Sequence, residues 1–367
     1  MMKITKRPEL PKRQEHIIRA AAIVFSLISA GLVILILGFN PLIVFKEIVM
    51  GALGTPLRVQ QTIIKAVPLL ITSLGILVAF KMKFWNIGGE GQIMMGAFGA
   101  ALVALNIPAT VPRPLALLAM AVMAMVFGGI WAFIPAFFKA RFGTNETIFT
   151  LMLNYIAIKW VTYLQYGPWK DPASQGFPKV ANFNPNAILP NLFGVHIGWI
   201  IALILVVLVH IFIRHTKKGF EITVVGESLE TARYAGMNIK SVIITSMLIS
   251  GGLCGLTGMI QASAVEHTLT NALSGGYGFT AIITTWLGML SAPVILVVTL
   301  AFAVLLQGGA FLQIALSVPA SVADMIQGII LFFVLGSEFF LQYRLSFNRK
   351  TGKKEAAHQS DNGEVAS

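Results

Sequence analysis

Apolar stretches of about 20 residues, the length at which an α-helix crosses the hydrocarbon core of a bilayer, recur along this chain from end to end. A chain so built cannot hide every stretch in a water-soluble core, and helices that satisfy their own backbone hydrogen bonds can instead be solvated by lipid. The pattern marks ten spans, near residues 17–38, 63–80, 89–105, 114–138, 147–166, 197–213, 241–262, 278–291, 293–312 and 319–342. Composition agrees: 56% of the residues are hydrophobic and 11% charged, where soluble domains carry about 25% charge. The expected fold class is an all-α integral membrane protein with about ten transmembrane helices.

Lys and Arg collect in cytoplasmic loops. With the N-terminus inside, the leader as far as Arg19, the turns at 81–83 and 139–141, the 214–240 segment and the tail together hold 20 of the 27 basic residues. Six fall in outer loops and Lys159 lies within a span. The asymmetry predicts an even number of spans with both termini cytoplasmic. It divides the chain into a basic cytoplasmic leader (1–16), a transmembrane domain (17–342) and a polar cytoplasmic tail (343–367) expected to be disordered. Within the domain lie an extracytoplasmic loop at 167–196 and a cytoplasmic loop at 214–240.

The net charge of +12 does not point to nucleic acid, because the basic residues are dispersed among juxtamembrane loops and no aromatic-interleaved basic face builds up. Their roles are topology and contact with anionic headgroups. The leader precedes an apolar run too long for a signal-peptide core and without a small-residue cleavage site, so it reads as a retained first helix. Cys254 is alone in an apolar segment and reads as packing.

Three polar segments interrupt the apolar pattern. In "FWNIGGEGQIMMGAFGA", residues 84–100, Asn86, Glu90 and Gln92 stand among glycines. They either cap the start of the third helix or serve gating, helix packing or the pathway, where glycines let a neighbour approach closely. In "RFGTNETIFTLMLNYIAIKW", residues 141–160, Thr144 or Asn145 can cap the fifth helix with Glu146 in its first turn. Thr147, Thr150 and Asn154 then form one polar stripe, which either bonds a neighbouring helix or lines a wet path. The third segment, 214–242, carries both charge signs and a short helix-like run from Ser228 to Ala235 closed by Gly236. A short mixed-charge helix of this kind suits docking of a soluble partner, and an ordinary solvated loop is its alternative.

No catalytic chemistry accompanies these segments. The sole Gly-Lys dipeptide, Gly352-Lys353, has Phe347 where a phosphate-cradling loop needs its first glycine. Its six histidines, His16, His196, His210, His215, His267 and His358, are scattered without a ligand spacing, and no nucleophile signature is present. Neither an enzymatic activity nor a metal or cofactor bound by this chain is expected. Proton coupling is disfavoured too, since only Asp324 and Glu338 lie in a late span, with Glu90 and Glu146 near helix starts.

The succession "FWNIGGEGQIMMGAFGA", "GTNETIFTLMLNYIA", "GESLETARYAGMN" and "SGGLCGLTGMIQ" resembles the permease subunit of a bacterial ATP-binding-cassette importer of the branched-chain amino acid and simple-sugar superfamily. More narrowly it is similar to the nucleoside (guanosine-type) permeases, over about residues 60–340, the G-E-G-Q sequence being the most specific part. The resemblance implies two inverted-topology halves, spans one to five and six to ten, in the bacterial cell membrane. Only the glycine-rich openings "GGEGQ" and "GGYGF" hint at that symmetry in the residues themselves. It also implies a coupling element for an ATPase, carried here by Gly226, Glu227, Ala232, Arg233 and Gly236.

The implied partners are a cytoplasmic ATPase that uses ATP and Mg, a second permease chain, either a paralogue or a second copy, and an extracytoplasmic substrate-binding lipoprotein. For that lipoprotein the proline-rich outer loop is a candidate surface, with a disordered spacer as the alternative. A nucleoside would suit Trp85, Tyr277, Phe279 and Trp286 for stacking and Asn145 and Asn154 for polar contacts. A simple-sugar importer shares almost every one of these features. A secondary transporter would not explain the cytoplasmic loop.

Overall fold

The computed structural model describes residues 2–6, 12–174, 176, 178–316 and 343–347, with scattered positions between 321 and 336. The chain forms two compact units, 1–41 with 324–367, and 42–323. In the first, β1 (Met2–Lys6) pairs antiparallel with β4 (Tyr343–Phe347), Met2 opposite Phe347, and α1 runs over Lys12–Ile36. Five residues of the tail expected to be disordered are therefore paired with the leader.

The second unit contains α2 (Pro41–Leu53), α3 (Pro56–Lys81), α4 (Gly89–Asn106), α5 (Arg113–Phe142) and α6 (Glu146–Tyr166). A loop with the two-residue strands β2 (Asn191–Leu192) and β3 (Val195–His196) leads to α7 (Gly198–His215), α8 (Lys217–Glu227) and α9 (Leu229–Tyr234). Then follow α10 (Ile239–Gln261), prolonged by a π-turn to Glu266, α11 (Tyr277–Leu287) and α12 (Ala292–Ala315).

Among the described residues, six helices are long and apolar enough to cross a membrane: α3, α5, α6, α7, the extended α10 and α12, with a seventh if α1 and α2 make one broken span. The spans expected near 63–80, 114–138, 147–166, 197–213, 241–262 and 293–312 are these helices. Over the stretch expected to span near 89–105 lies α4, which is not one of the six; its first turn carries Glu90 and Gln92, and every residue from Gly89 to Ala101 is buried. The span expected near 319–342 lies mostly outside the described residues.

The expected span 278–291 is corrected by α11, which has only 11 residues. Gly275 and Gly276 ahead of it, and Met289 and Leu290 behind it, all have positive φ, so the backbone leaves the right-handed helix at both ends. Eleven residues reach about 16 Å, near half the hydrocarbon thickness. Sequence patterning also passed over α2, and it did not separate α8 from α9 in the 214–240 segment.

Burial sorts the spans. Within their most apolar stretches α3 is 83% buried and α10 72%, against 22–33% for α5, α6, α7 and α12. The central helices meet through glycine, as helices packed in lipid commonly do. A Cβ on Gly96 would overlap the backbone of Gly255, and one on Gly258 would overlap the carbonyl of Ile93.

The 167–197 loop is stitched to the helix ends around it. Asn186 donates to the carbonyls of Pro108 and Val111 at 3.0 and 3.1 Å, and Ser263 Oγ receives Leu189 N at 3.0 Å. Thr268 Oγ1 donates to Val180 O at 2.8 Å, and Gln60 donates to Phe193 O at 3.2 Å. Hydrogen bonds to so many separate elements are not what a disordered spacer makes.

Candidate functional site

The connection from α3 to α4 begins with a left-handed residue. Lys83 has φ 57°, Lys83 N bonds Phe80 O at 2.9 Å and Phe84 N bonds Ala79 O at 3.2 Å, a Schellman ending with lysine where glycine is usual. The chain then runs through Trp85 and Asn86 to Gly88, which precedes α4 without a side-chain cap.

Asn86 is fully buried and forms a reciprocal amide pair with Gln92. Its Nδ2 donates to Gln92 Oε1 at 3.2 Å and its Oδ1 receives Gln92 Nε2 at 3.1 Å. The same Nδ2 reaches Ser250 Oγ of α10 at 3.1 Å, and the same Oδ1 receives Gly88 N at 3.0 Å. Asn154 of α6 grips the backbone of this stretch twice, receiving Gly91 N at 2.8 Å and donating to Ile87 O at 2.9 Å. Thr150, one turn earlier, accepts from Ile87 N at 3.3 Å. Asn86, Gln92 and Asn154 thus spend their hydrogen-bonding groups on one another and on backbone, locking the G-E-G-Q segment between α6 and α10.

Glu90 points the other way, toward the start of α11. Its Oε1 accepts from Gly276 N at 2.8 Å and its Oε2 from Gly278 N at 2.7 Å, with the Ser274 hydroxyl and Phe279 amide also directed at it. The two helix starts touch backbone to backbone, since a Cβ on Gly278 would overlap Glu90 N and one on Gly89 would lie 3.4 Å from Gly278 Cα. Thr284 of α11 meets Ser73 of α3 at 2.6 Å, and Thr285 donates to Ser73 O at 3.0 Å.

Asn145 and Glu146 stand apart from this node. Asn145 caps α6, accepting from Thr147 N and Ile148 N at 3.0 and 3.2 Å, and Glu146 pairs with Lys139 at 2.7 Å. Of the four aromatics considered for stacking, the structure brings together Trp85 and Trp286, ring centroids 5.4 Å apart. Phe80, which sequence reasoning passed over, completes the cluster at 5.5 and 5.7 Å. The Trp286 indole N–H is buried without a partner among the described residues. Tyr277 starts α11 with its hydroxyl toward Gln261, and Phe279 is exposed. Neither joins that cluster.

At the basic end of the bundle α8 and α9 lie in series. Thr216 caps α8 through Gly219 N, Ser228 caps α9 through Thr231 N, and Gly236, at φ 71°, closes α9 as the sequence predicts. Ala232 is buried and anchors α9, while Glu227, Leu229, Glu230 and Arg233 are exposed. Tyr234 is 97% exposed, an aromatic on a helix surface that no periodicity argument singled out. Gly226 allows no side chain, because a Cβ there would overlap the Lys81 carbonyl. Between α8–α9 and the end of α3 is a cleft of about 360 Å³ lined by Lys83, Phe84, Lys139, Glu146 and Glu230. Among the described residues no group of His, Cys, Asp and Glu side chains is placed to hold a metal ion.

Apolar helices of bilayer length, closed around a buried polar node that holds a half-length helix, define a multi-pass membrane protein. Residues 58–335 match the family described as the branched-chain amino acid transport system permease component, and the chain belongs to that family. It is an ABC transporter permease of the branched-chain and simple-sugar group. It is 33% identical to the glucose ABC transporter permease protein TsgB13 of Haloferax volcanii, over 89% of each chain. It is 31% identical to the guanosine ABC transporter permease protein NupP of Bacillus subtilis, over 95% of this chain and 99% of that one. With the nucleoside ABC transporter permease protein NupB of Lactococcus lactis the identity is 30%, over 88% of this chain and 91% of that one.

Proposed function

We propose that this chain is the membrane-spanning subunit of an ATP-driven importer of nucleosides. The observation that carries the reading is the likeness, over nearly the whole of each chain, to permeases named for guanosine and nucleoside transport. The likeness to a glucose permease supports a second reading in which the cargo is a simple sugar.

In the proposed cycle the chain sits in the bacterial cell membrane as a multi-pass protein with both termini cytoplasmic. A cytoplasmic ATPase, which alone binds ATP and Mg, seats on the exposed side of α8–α9, formed by Glu227, Leu229, Arg233 and Tyr234. A second permease, a paralogue or another copy of this chain, completes the path. A substrate-binding lipoprotein docks on the outer loop, whose hydrogen bonds to the ends of α3, α4 and α10 hold a fixed surface toward it. ATP binding closes the ATPase dimer, α8–α9 move with it, and the permeases alternate between outward and inward access. The Trp85 ring, exposed and backed by Trp286 and the buried Phe80, offers the flat apolar face that a nucleobase stacks on.

The coupling surface is tested with Glu227→Ala and Arg233→Ala in the complete transporter. The proposal expects both variants to reach the membrane with uptake separated from ATP hydrolysis, and normal uptake in both removes the coupling assignment.

A further inference from the structure

Helix α11 is held at both ends by one short segment. Glu90 takes the amides of Gly276 and Gly278 at its start, and Trp85 lies against Trp286 near its finish. Residues at positive φ flank it on both sides, so α11 is a rigid piece between two joints where the backbone leaves helical geometry.

The segment that holds it, residues 82–92, is stiff for a connection. Asn154 fixes Ile87 O and Gly91 N, Thr150 fixes Ile87 N, and Asn86 is tied to Gln92 and Ser250. At its other end the segment starts at the Lys81–Met82 backbone, against which Gly226 of α8 packs with no room for a side chain. A displacement of α8 cannot be absorbed there by a side-chain rotation. A displacement of α8 toward α3 meets the backbone of Lys81 and Met82 directly, and the segment that starts there leads to Glu90.

We propose that Glu90 is a positioning residue that couples α11 to the α8–α9 element, so that α11 is the part of the bundle shifted when that element moves; this rests on the ATP-driven cycle proposed above. Glu90 is suited to transmit rather than to bind cargo, because it is buried and its carboxylate is already met by two backbone amides at 2.7–2.8 Å. The bond joins two backbones through one short side chain, and its strength lies in charge-assisted contacts that hold while the pieces move together.

The test uses the complete transporter in vesicles with Phe279→Cys as a reporter on α11. The native Cys254 is fully buried and gives no background. Thiol-labelling rates are read without nucleotide and with ATP trapped, together with nucleoside uptake per ATP hydrolysed, in the Glu90 protein and in Glu90→Gln. The expected result is a labelling rate that changes with ATP by about fivefold or more when Glu90 is present, and a change abolished in Glu90→Gln with uptake per ATP down about tenfold. A merely structural Glu90 gives less folded protein but an unaltered labelling change and an unaltered uptake ratio in what remains, which overturns the inference. So does a reporter indifferent to ATP in the Glu90 protein. Where Glu90→Gln fails to accumulate, Glu90→Asp, which keeps the charge but draws the carboxylate back from the α11 amides, is read in the same way. Uptake that needs no ATP in the unmodified transporter removes the transport reading itself, a result distinct from these.

Discussion

Glu90 Oε2 receives the amide of Gly278 at 2.7 Å, a contact between residues 188 positions apart that brings a carboxylate to the point where two helix N-termini converge. Both α4 and α11 begin there, and each presents the positive end of its dipole. Without an anion between them the two starts would repel. Glu90→Ala leaves buried amides unpaired and should cost ~3 kcal/mol or more, and Glu90→Gln, which keeps one acceptor, should cost less. Thermal unfolding of the purified protein in detergent orders the three. Equal midpoints would mean that the carboxylate is not holding the helix starts together.

A hairpin on the opposite end carries an aromatic in an unfavourable backbone. Phe193 has φ 56° and Gly194 φ 80°, as a two-residue turn between β2 and β3 requires, and the Phe193 ring is 82% exposed. The strain serves no packing within the chain. Phe193→Gly should therefore raise stability by ~1 kcal/mol and yet lower uptake, if the ring enters a pocket on the extracytoplasmic partner. A stabilised variant with full uptake would leave the outer-loop docking surface without its most prominent group.

His196 is 2% exposed, and neither ring nitrogen has a partner among the described residues. Burial pushes its pKa down to about 4. The folded protein holds it neutral while the unfolded chain takes up a proton near pH 6.5, so its contribution is neutral above that pH and becomes destabilising as pH falls from 6.5 toward 4, by ~3 kcal/mol at most. His196→Phe should flatten the acid side of the stability profile. An unchanged profile between pH 7 and 5 would show that another group governs acid stability.

Tyr234 projects from α9 and touches little of its own chain. Tyr234→Ala should alter stability by less than about 0.5 kcal/mol while weakening binding of the ATPase, read as a higher half-saturating concentration when the two are recombined. Unaltered recombination would place the docking surface elsewhere on α8–α9.

Much of this architecture was legible because lipid makes helix length readable as apolar length. Glu146, Asn145 and Gly236 declared local caps and a helix end by residue type alone. The glycine-rich openings "GGEGQ" and "GGYGF" stood out as similar, but that Glu90 of one binds the amides of the other depends on tertiary packing between distant segments. The shortness of α11 was hidden too: "YGFTAIITTWLGML" carries no charge, and Met289 and Leu290 at positive φ carry no sequence signal. Tyr234 and Phe193 escaped because exposure of a single aromatic depends on where the helix or turn lands.

The central claim is cargo and energy together. Labelled guanosine, adenosine, uridine, ribose and glucose are offered to vesicles containing this chain with its ATPase, second permease and binding protein, with and without ATP. The account predicts nucleoside uptake that requires ATP and survives excess sugar. Sugar uptake with nucleosides inert would contradict it, keeping the permease and the coupling element while removing the nucleoside.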